Sequence, residues 1–299
     1  MRIGLWNLEP KIENTALMQV SQYHKQRGDQ VEFYSPLFSY DKVYVFSIFS
    51  FTKKPVLKPN MVAGGTGFNI CSKLSPEIEA CDLDYSIYPK CKTSYLWFSR
   101  GCFRNCPFCV VPTKEGKIYP VDPKNLNQNG KYISIMDNNF FGDLQWTNAI
   151  QELLDIGQPV LFQSGLDVRT LGDYELLHLS KLKIYKQLHI AWDNPREDLT
   201  RKIIELTKYI SHYKVACYVL IGYWSSPEED LMRVEKLRAL GVDPFVMPYN
   251  KVDPYQMAFT RWVNHKATFK SVSWKEYHHG SWKGATELLQ LIGNNSKIW

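Results

Sequence analysis

Three of the seven cysteines, Cys102, Cys106 and Cys109, stand in the spacing C-x3-C-x2-C. Thiolates so spaced in one loop can converge on a single metal centre. A zinc site asks for four ligands, often including histidine, and the nearest histidine downstream is His178. A 4Fe-4S cluster ordinarily takes four cysteines, so three leave one iron open to coordinate a substrate or cofactor. A zinc or purely structural site is the competing reading. Cys71, Cys81 and Cys91, ten residues apart, match no metal pattern; with Cys217, inside an apolar run, they are expected to be buried thiols.

The triad follows an apolar run at 94–99, and further runs lie at 132–137, 159–164, 187–192, 214–221 and 243–248. Between most of them are amphipathic stretches with helix signals, Trp146–Ile156, Tyr174–Leu182, Arg196–Ile210 and Pro227–Leu240. Pro227 followed by Glu228, Glu229 and Asp230 is a strong helix start, because proline suits the first turn and acids complement the dipole; Gly241 ends it. Strands alternating with helices demand parallel pairing with right-handed crossovers. A closed eight-unit barrel takes about 250 residues, more than the stretch from 94 to 248 holds. The expected fold class is therefore α/β, with an open partial (β/α)6 barrel whose function gathers at the carboxyl ends of its strands.

Ahead of it, Arg2–Leu8 reads as a strand, and Asn14 caps a helix carrying Ala16, Leu17, Val20 and His24 on one face. Gly28 ends that helix, and two further strand-like runs follow at Gln30–Tyr34 and Lys42–Phe49. The expected organisation is a small flavodoxin-like βαβ segment at 1–60, an irregular linker at 61–91, the barrel at 92–250 and an aromatic, basic lid at 251–299. Within the linker, Gly64-Gly65-Thr66-Gly67 reads as a tight turn; a phosphate cradle would need a following helix.

At the cysteines the sequence resembles the radical S-adenosylmethionine superfamily, whose signature C-x3-C-x-aromatic-C is matched by Cys102, Cys106, Phe108 and Cys109. The resemblance covers roughly residues 92 to 250. It implies a 4Fe-4S cluster whose open iron chelates S-adenosyl-L-methionine, reductive cleavage of that cofactor, and a 5′-deoxyadenosyl radical that abstracts hydrogen from substrate. It places Phe108 near the adenine. Where the family often carries a Gly-Gly-Glu segment this chain has Asp137, Asn138 and Asn139, acceptors for the cofactor's amino group or members of an Asx turn. Gln163 and Arg169 end the third strand, and Arg169 either pairs with the methionine carboxylate or with Asp167. Asp193 is a candidate for ribose hydroxyls. Leu220, Ile221 and Gly222 resemble the family's adenine-contact strand. The first segment resembles the domain of cobalamin-binding and methylthiotransferase members, without the cobalamin-binding Asp-x-His-x-x-Gly loop.

The formal charge of +6, from 36 Lys and Arg against 30 Asp and Glu, permits an anionic partner without requiring one. Between Arg261 and Lys283 aromatics (Trp262, Phe269, Trp274, Tyr277, Trp282) alternate with lysines. That pattern suits stacking on unpaired bases or a lid that buries its aromatics and leaves the lysines in water. The leading expectation is a radical enzyme, an oxidoreductase or transferase, acting on tRNA or another nucleic acid with a flavodoxin- or ferredoxin-type reductant. Radical modification of a peptide or small metabolite, and a non-catalytic iron–sulfur or nucleotide-binding protein, are the alternatives. No residue presents itself as general acid or base. MRIGLWNLEP lacks the features of a secretory signal. The most apolar segment, Tyr44–Phe51, falls short of the roughly 18 residues that span a bilayer. A cytoplasmic location without a membrane partner is expected.

Overall fold

The computed structural model describes residues 1–278. The chain runs β1 (Arg2–Asn7), α1 (Thr15–Gln26), β2 (Gln30–Phe33), β3 (Lys42–Phe46), β4 (Met61–Gly64), α2 (Pro76–Glu79), β5 (Thr93–Leu96), β6 (Ser99–Arg100), α3 (Val111–Lys114), β7 (Tyr119–Pro120) and β8 (Tyr132–Ile135). It continues α4 (Trp146–Ile156), β9 (Val160–Phe162), α5 (Asp173–Ser180), β10 (Leu188–Ala191), α6 (Thr200–Tyr209), β11 (Val215–Ile221), α7 (Pro227–Ala239), β12 (Asp243–Pro248), α8 (Pro254–Asn264) and α9 (Lys266–Ser271). It divides into two compact units, Met1–Ala149 with Gln158–Val160, and Ile150–Gly157 with Leu161 onward.

In the first unit a parallel sheet has the order β2-β1-β3-β4. Both faces of its central strands are covered, which is why β1 and β3 read as near-continuous apolar runs. Ile3, Leu5, Leu17, Val20, Tyr44 and Phe46 form one core cluster, and Tyr40, Val43 and Val45 form another. Asn14 caps α1 as expected, its Oδ1 accepting from Leu17 N at 3.2 Å. His24 has both ring nitrogens engaged, Nδ1 with Asp29 at 2.6 Å and Nε2 with the Tyr44 hydroxyl at 3.0 Å, so it ties α1 to β3.

The stretch 61–91 is less irregular than its sequence suggests, because Met61–Gly64 adds a strand beside β3. Its signal is weak since Ala63 and Gly64 carry little strand propensity. The glycine run after it is a turn, with Gly67 N bonded to Ser47 O and Phe68 N to Gly65 O, and no helix follows directly. Cys91 is buried as expected, but Cys71 is exposed, because it sits in this turn-rich stretch rather than under a sheet. A second sheet has the order β5-β8-β9, with β5 and β8 parallel and Val160 the first unit's share of β9.

In the second unit β10, β11 and β12 pair in parallel, and Leu166 bridges to Ile190. The strand-like runs of the sequence thus become strands of parallel sheets in a mixed α/β fold. α7 starts at Pro227 as its sequence leads one to expect, and a capping box adds to it, Ser226 Oγ accepting from Glu229 N at 3.3 Å while Glu229 Oε2 accepts from Ser226 N at 2.8 Å. The expected helix over Arg196–Ile210 begins only at Thr200, since Asn194 and Glu197 close a turn first.

The tail joins this unit's core. Trp262, Phe269 and Trp274 are buried and pack edge to face among themselves and Phe259. The base-stacking reading of these three rings is therefore corrected: they are buried against Phe259 and one another. Lys266 and Lys270 stay in water against Asp243. Trp282 and Lys283 lie outside the described residues.

One buried cation organises the carboxyl ends of β10 and β11. Arg233 on α7 is fully buried and donates to the carbonyls of Trp192, Asp193 and Leu220 and to Asp230 at 2.6 Å. Removing it strips a donor from these carbonyls and from Glu229 O at 3.4 Å, and leaves the buried Asp230 carboxylate without its cation though still bonded to the Tyr255 hydroxyl at 3.0 Å. Arg233→Met is expected to cost about 3–5 kcal/mol, read as a lower urea midpoint; Asp230→Asn added to it should recover part of the loss.

Candidate metal centre

The cysteine loop leaves the carboxyl end of β5 through the short pair β6–β7, in which Ser99 faces Pro120 and Arg100 faces Tyr119. Gly101 turns the chain into the loop at φ +75°, where an added Cβ would lie 2.2 Å from the Lys117 carbonyl oxygen, so only glycine fits. Cys102 N donates to Gly116 O at 3.2 Å and Cys109 N to Cys106 O at 2.9 Å. All three thiols are partly exposed. Backbone amides approach two sulfurs, Arg104 N to Cys102 Sγ at 3.3 Å and Val111 N to Cys109 Sγ at 3.5 Å.

The end of β8 is brought onto this loop. Asn139 Nδ2 donates to Cys102 Sγ at 3.7 Å, and Asn138 Nδ2 to Glu115 Oε2 at 2.8 Å. Glu115 also accepts from Gly101 N at 2.9 Å and pairs with Arg100 at 3.5 Å. Glu115 is the residue that sequence reasoning missed, since a single acid beyond the last cysteine carries no spacing signal. Lys114 beside it donates to Thr66 Oγ1 of the glycine turn at 3.0 Å, and burial pushes its pKa down.

Asp137 turns the other way. Its carboxylate, 4% exposed, accepts from Phe98 N at 3.0 Å, Ser99 N at 2.7 Å and Ser99 Oγ at 2.6 Å. Burial nonetheless pushes its pKa up to about 6, against the pull of these donors. Its oxygens pin the strand exit from which the cysteine loop departs.

In the second unit the other expected residues have these places. Gln163 is exposed after β9. The guanidinium of Arg169 bridges Asp167 at 2.7 Å and Glu197 at 2.6 Å. Asp193 accepts from Leu220 N at 3.2 Å, and burial raises its pKa. Along β11, Ile221 is fully buried whereas Leu220 is half-buried on the face it shares with Tyr218. At Gly222, with φ +76°, an added Cβ would come within 2.2 Å of the Gln256 side chain, so Gln256 already requires the glycine.

Among the described residues no group of three or more His, Cys, Asp or Glu side chains is gathered as a metal-binding set. The chemistry of the donors still fits an iron–sulfur group. All three ligand candidates in the loop are soft sulfurs, and two already receive backbone N–H groups, which stabilise thiolates and tune clusters. Phe108 stands half-buried among them.

No protein-family model matches the chain. Over 162 residues, 54% of its length, it is 26% identical to the tRNA-2-methylthio-N(6)-dimethylallyladenosine synthase of Hydrogenobaculum sp. (strain Y04AAS1). The chain spans about a third of the length of that curated relative, 34%. Among the described residues no helix is long and apolar enough to cross a membrane.

The raised Asp137 pKa has a signed consequence. The folded protein holds this proton up to about pH 6 and the unfolded chain only to about 3.8. The associated stability is complete below the unfolded value and is lost as pH rises through 6. The difference in unfolding free energy between the protein and Asp137→Asn should therefore shift by about 2–3 kcal/mol between pH 4 and pH 7, measured by urea melts at each pH. A pH-independent difference would remove the assignment.

Proposed function

We propose that the chain is a radical S-adenosylmethionine enzyme that acts on tRNA. The observation that carries the reading is the loop Cys102-x3-Cys106-x-Phe108-Cys109 at the carboxyl end of a parallel strand, with backbone amides aimed at its outer sulfurs. The likeness to a tRNA-modifying synthase supports it.

In this reading Cys102, Cys106 and Cys109 hold a 4Fe-4S cluster and leave one iron for S-adenosylmethionine. When bound, that pair supplies a one-electron reductive cleavage yielding methionine and a 5′-deoxyadenosyl radical for hydrogen abstraction. The chain's own residues have narrower tasks. Asp137 fixes the strand exit and so the start of the loop. Asn139 keeps an amide on the Cys102 sulfur, and Asn138 with Glu115 braces the far side. Phe108 supplies an apolar face for the cofactor's adenine.

The resemblance extends cofactor roles to Gln163, Arg169, Asp193, Leu220, Ile221 and Gly222. For Arg169 that role requires exchanging Glu197 or Asp167 for the cofactor's carboxylate. The half-buried Leu220 suits an adenine contact better than the fully buried Ile221. An open partial (β/α)6 barrel over 92–250 is the architecture this reading requires, and a flavodoxin- or ferredoxin-type protein is its electron donor.

Anaerobic reconstitution with iron and sulfide tests the reading. The protein is expected to bind iron and sulfide and, with dithionite and S-adenosylmethionine, to release 5′-deoxyadenosine. Replacing Cys102, Cys106 and Cys109 by Ala should abolish both. Equal iron content in the triple variant, or no 5′-deoxyadenosine from the loaded protein, would sink it. An unchanged tRNA nucleoside profile on deleting the gene would move the substrate elsewhere.

A further inference from the structure

A recess on the second unit lies toward the amino ends of its strands, with Tyr218, at the middle of β11, two residues along the same face from Leu220. It is lined by residues of β10, β11 and β12, among them His189, Tyr218, Asp243 and Phe245, with Asn264 and Lys266 from the tail. Its volume is about 170 Å³, room for one or two fused rings. Three features mark it as built for a ligand.

Its wall is aromatic and open. Phe245 is 47% exposed, although it belongs to a central run of apolar residues, and stands edge-on to Tyr218 at 5.8 Å. Tyr218 is in turn backed by the stacked ring of His189 at 4.9 Å, which fixes its orientation.

Two of its polar atoms are unfilled. Among the described residues the Tyr218 hydroxyl has no hydrogen-bond partner. Behind it His189 Nδ1, shielded from solvent, has none either. A half-buried phenol beside an aromatic wall is worth more to a ligand with polar edge atoms than to the protein alone.

Its mouth is cationic. Lys266 reaches Asp243 at 2.6 Å and Lys270 reaches the same carboxylate at 3.6 Å, so two exposed ammonium groups share one acid. Gln187 completes the rim, donating to Asp243 at 3.0 Å and accepting from Lys266 at 3.1 Å.

We propose that this recess is a nucleotide-binding site, the base lying against Phe245 with its edge on the Tyr218 hydroxyl and the phosphate at Lys266 and Lys270. Aromatic stacking next to lysine–phosphate contact is the chemistry by which proteins hold unpaired nucleotides. The site uses none of the cysteines and stands whether or not the cluster reading does. The nucleotide is either free or part of an RNA chain.

The test uses the full-length chain and two probes, AMP and an eight-nucleotide oligo(A), titrated by calorimetry with and without iron loading. Saturable binding of AMP, unaffected by iron, is expected. Phe245→Ala should weaken it about tenfold, within the range for losing one stacked base. Tyr218→Phe should weaken it about three- to tenfold. Lys266→Gln should lower the slope of log affinity against log salt by about one. Phe245 is exposed and Tyr218→Phe keeps its ring, so both variants should fold; circular dichroism checks this. AMP binding that oligo(A) cannot displace makes the site one for free nucleotides. Displacement by oligo(A), lost in Phe245→Ala, makes the ligand chain-borne RNA. Absence of saturable binding by both probes overturns the proposal, as does binding unchanged in Phe245→Ala and Tyr218→Phe. Inorganic phosphate binding as tightly as AMP also overturns it, reducing the recess to a lysine pair.

Discussion

Parallel strands end with backbone groups that no neighbouring strand can satisfy, and a buried group left so costs about 1–3 kcal/mol. This chain meets that demand with single buried side chains that reach across to an adjacent strand. Glu9, just past β1, accepts from Ile48 N at 3.0 Å, Phe49 N at 3.4 Å, Ser47 Oγ at 2.8 Å and Thr52 Oγ1 at 2.6 Å beyond β3. Asp137, past β8, takes the amides of Phe98 and Ser99 beyond β5. In the second unit the sign is reversed, Arg233 donating to the carbonyls at the ends of β10 and β11. Each clamp fixes where a loop begins, and the cysteine loop leaves a strand exit that Asp137 has set.

The clamps also decide which strand ends remain open to chemistry. In the first sheet β1 lies between β2 and β3, and the crevice where such sheets bind ligands is the one at β1 and β3. Glu9 fills it. Burial alone would raise that carboxyl's pKa, but its hydroxyl and amide donors outweigh burial and hold it below the ordinary carboxylate range. Lys54 then covers the loop, donating to Ser47 Oγ and to the carbonyls of Phe49 and Thr52. A crevice so occupied is scaffold rather than binding site. At β5 and β8 the arrangement differs: Asp137 faces inward to the strand exit, and its neighbours Asn138 and Asn139 are left to reach the cysteine loop.

What was legible in the sequence was what local periodicity and capping dictate. The helix start at Pro227, the cap at Asn14 and the alternation of the later strands with helices all follow from residues close in the chain. The cysteine spacing and the run Asp137-Asn138-Asn139 were legible for the same reason. What could not be read depends on partners far apart. Glu115 matters because Gly101 and Asn138 converge on it, Arg233 because it meets carbonyls at 192, 193 and 220. The tail was ambiguous because aromatics alternating with lysines describe a buried helix face as well as a binding surface. Only packing decides, and it put Trp262, Phe269 and Trp274 inside.

The same packing separates two kinds of positive charge that composition merges into +6. Arg233 is spent wholly on the fold, its guanidinium divided among four carbonyls and one carboxylate with no solvent contact. Lys266 and Lys270 are more than half exposed and share one acid, so each keeps donors for a further anion. Lys114 is intermediate, half-buried on the Thr66 hydroxyl beside the cysteine loop. Desolvation makes such a cation costly to hold unpaired, and an anion arriving at that loop would lower the cost. Net charge therefore says little about partners here; the exposure of each cation and the number of its donors already in use say more.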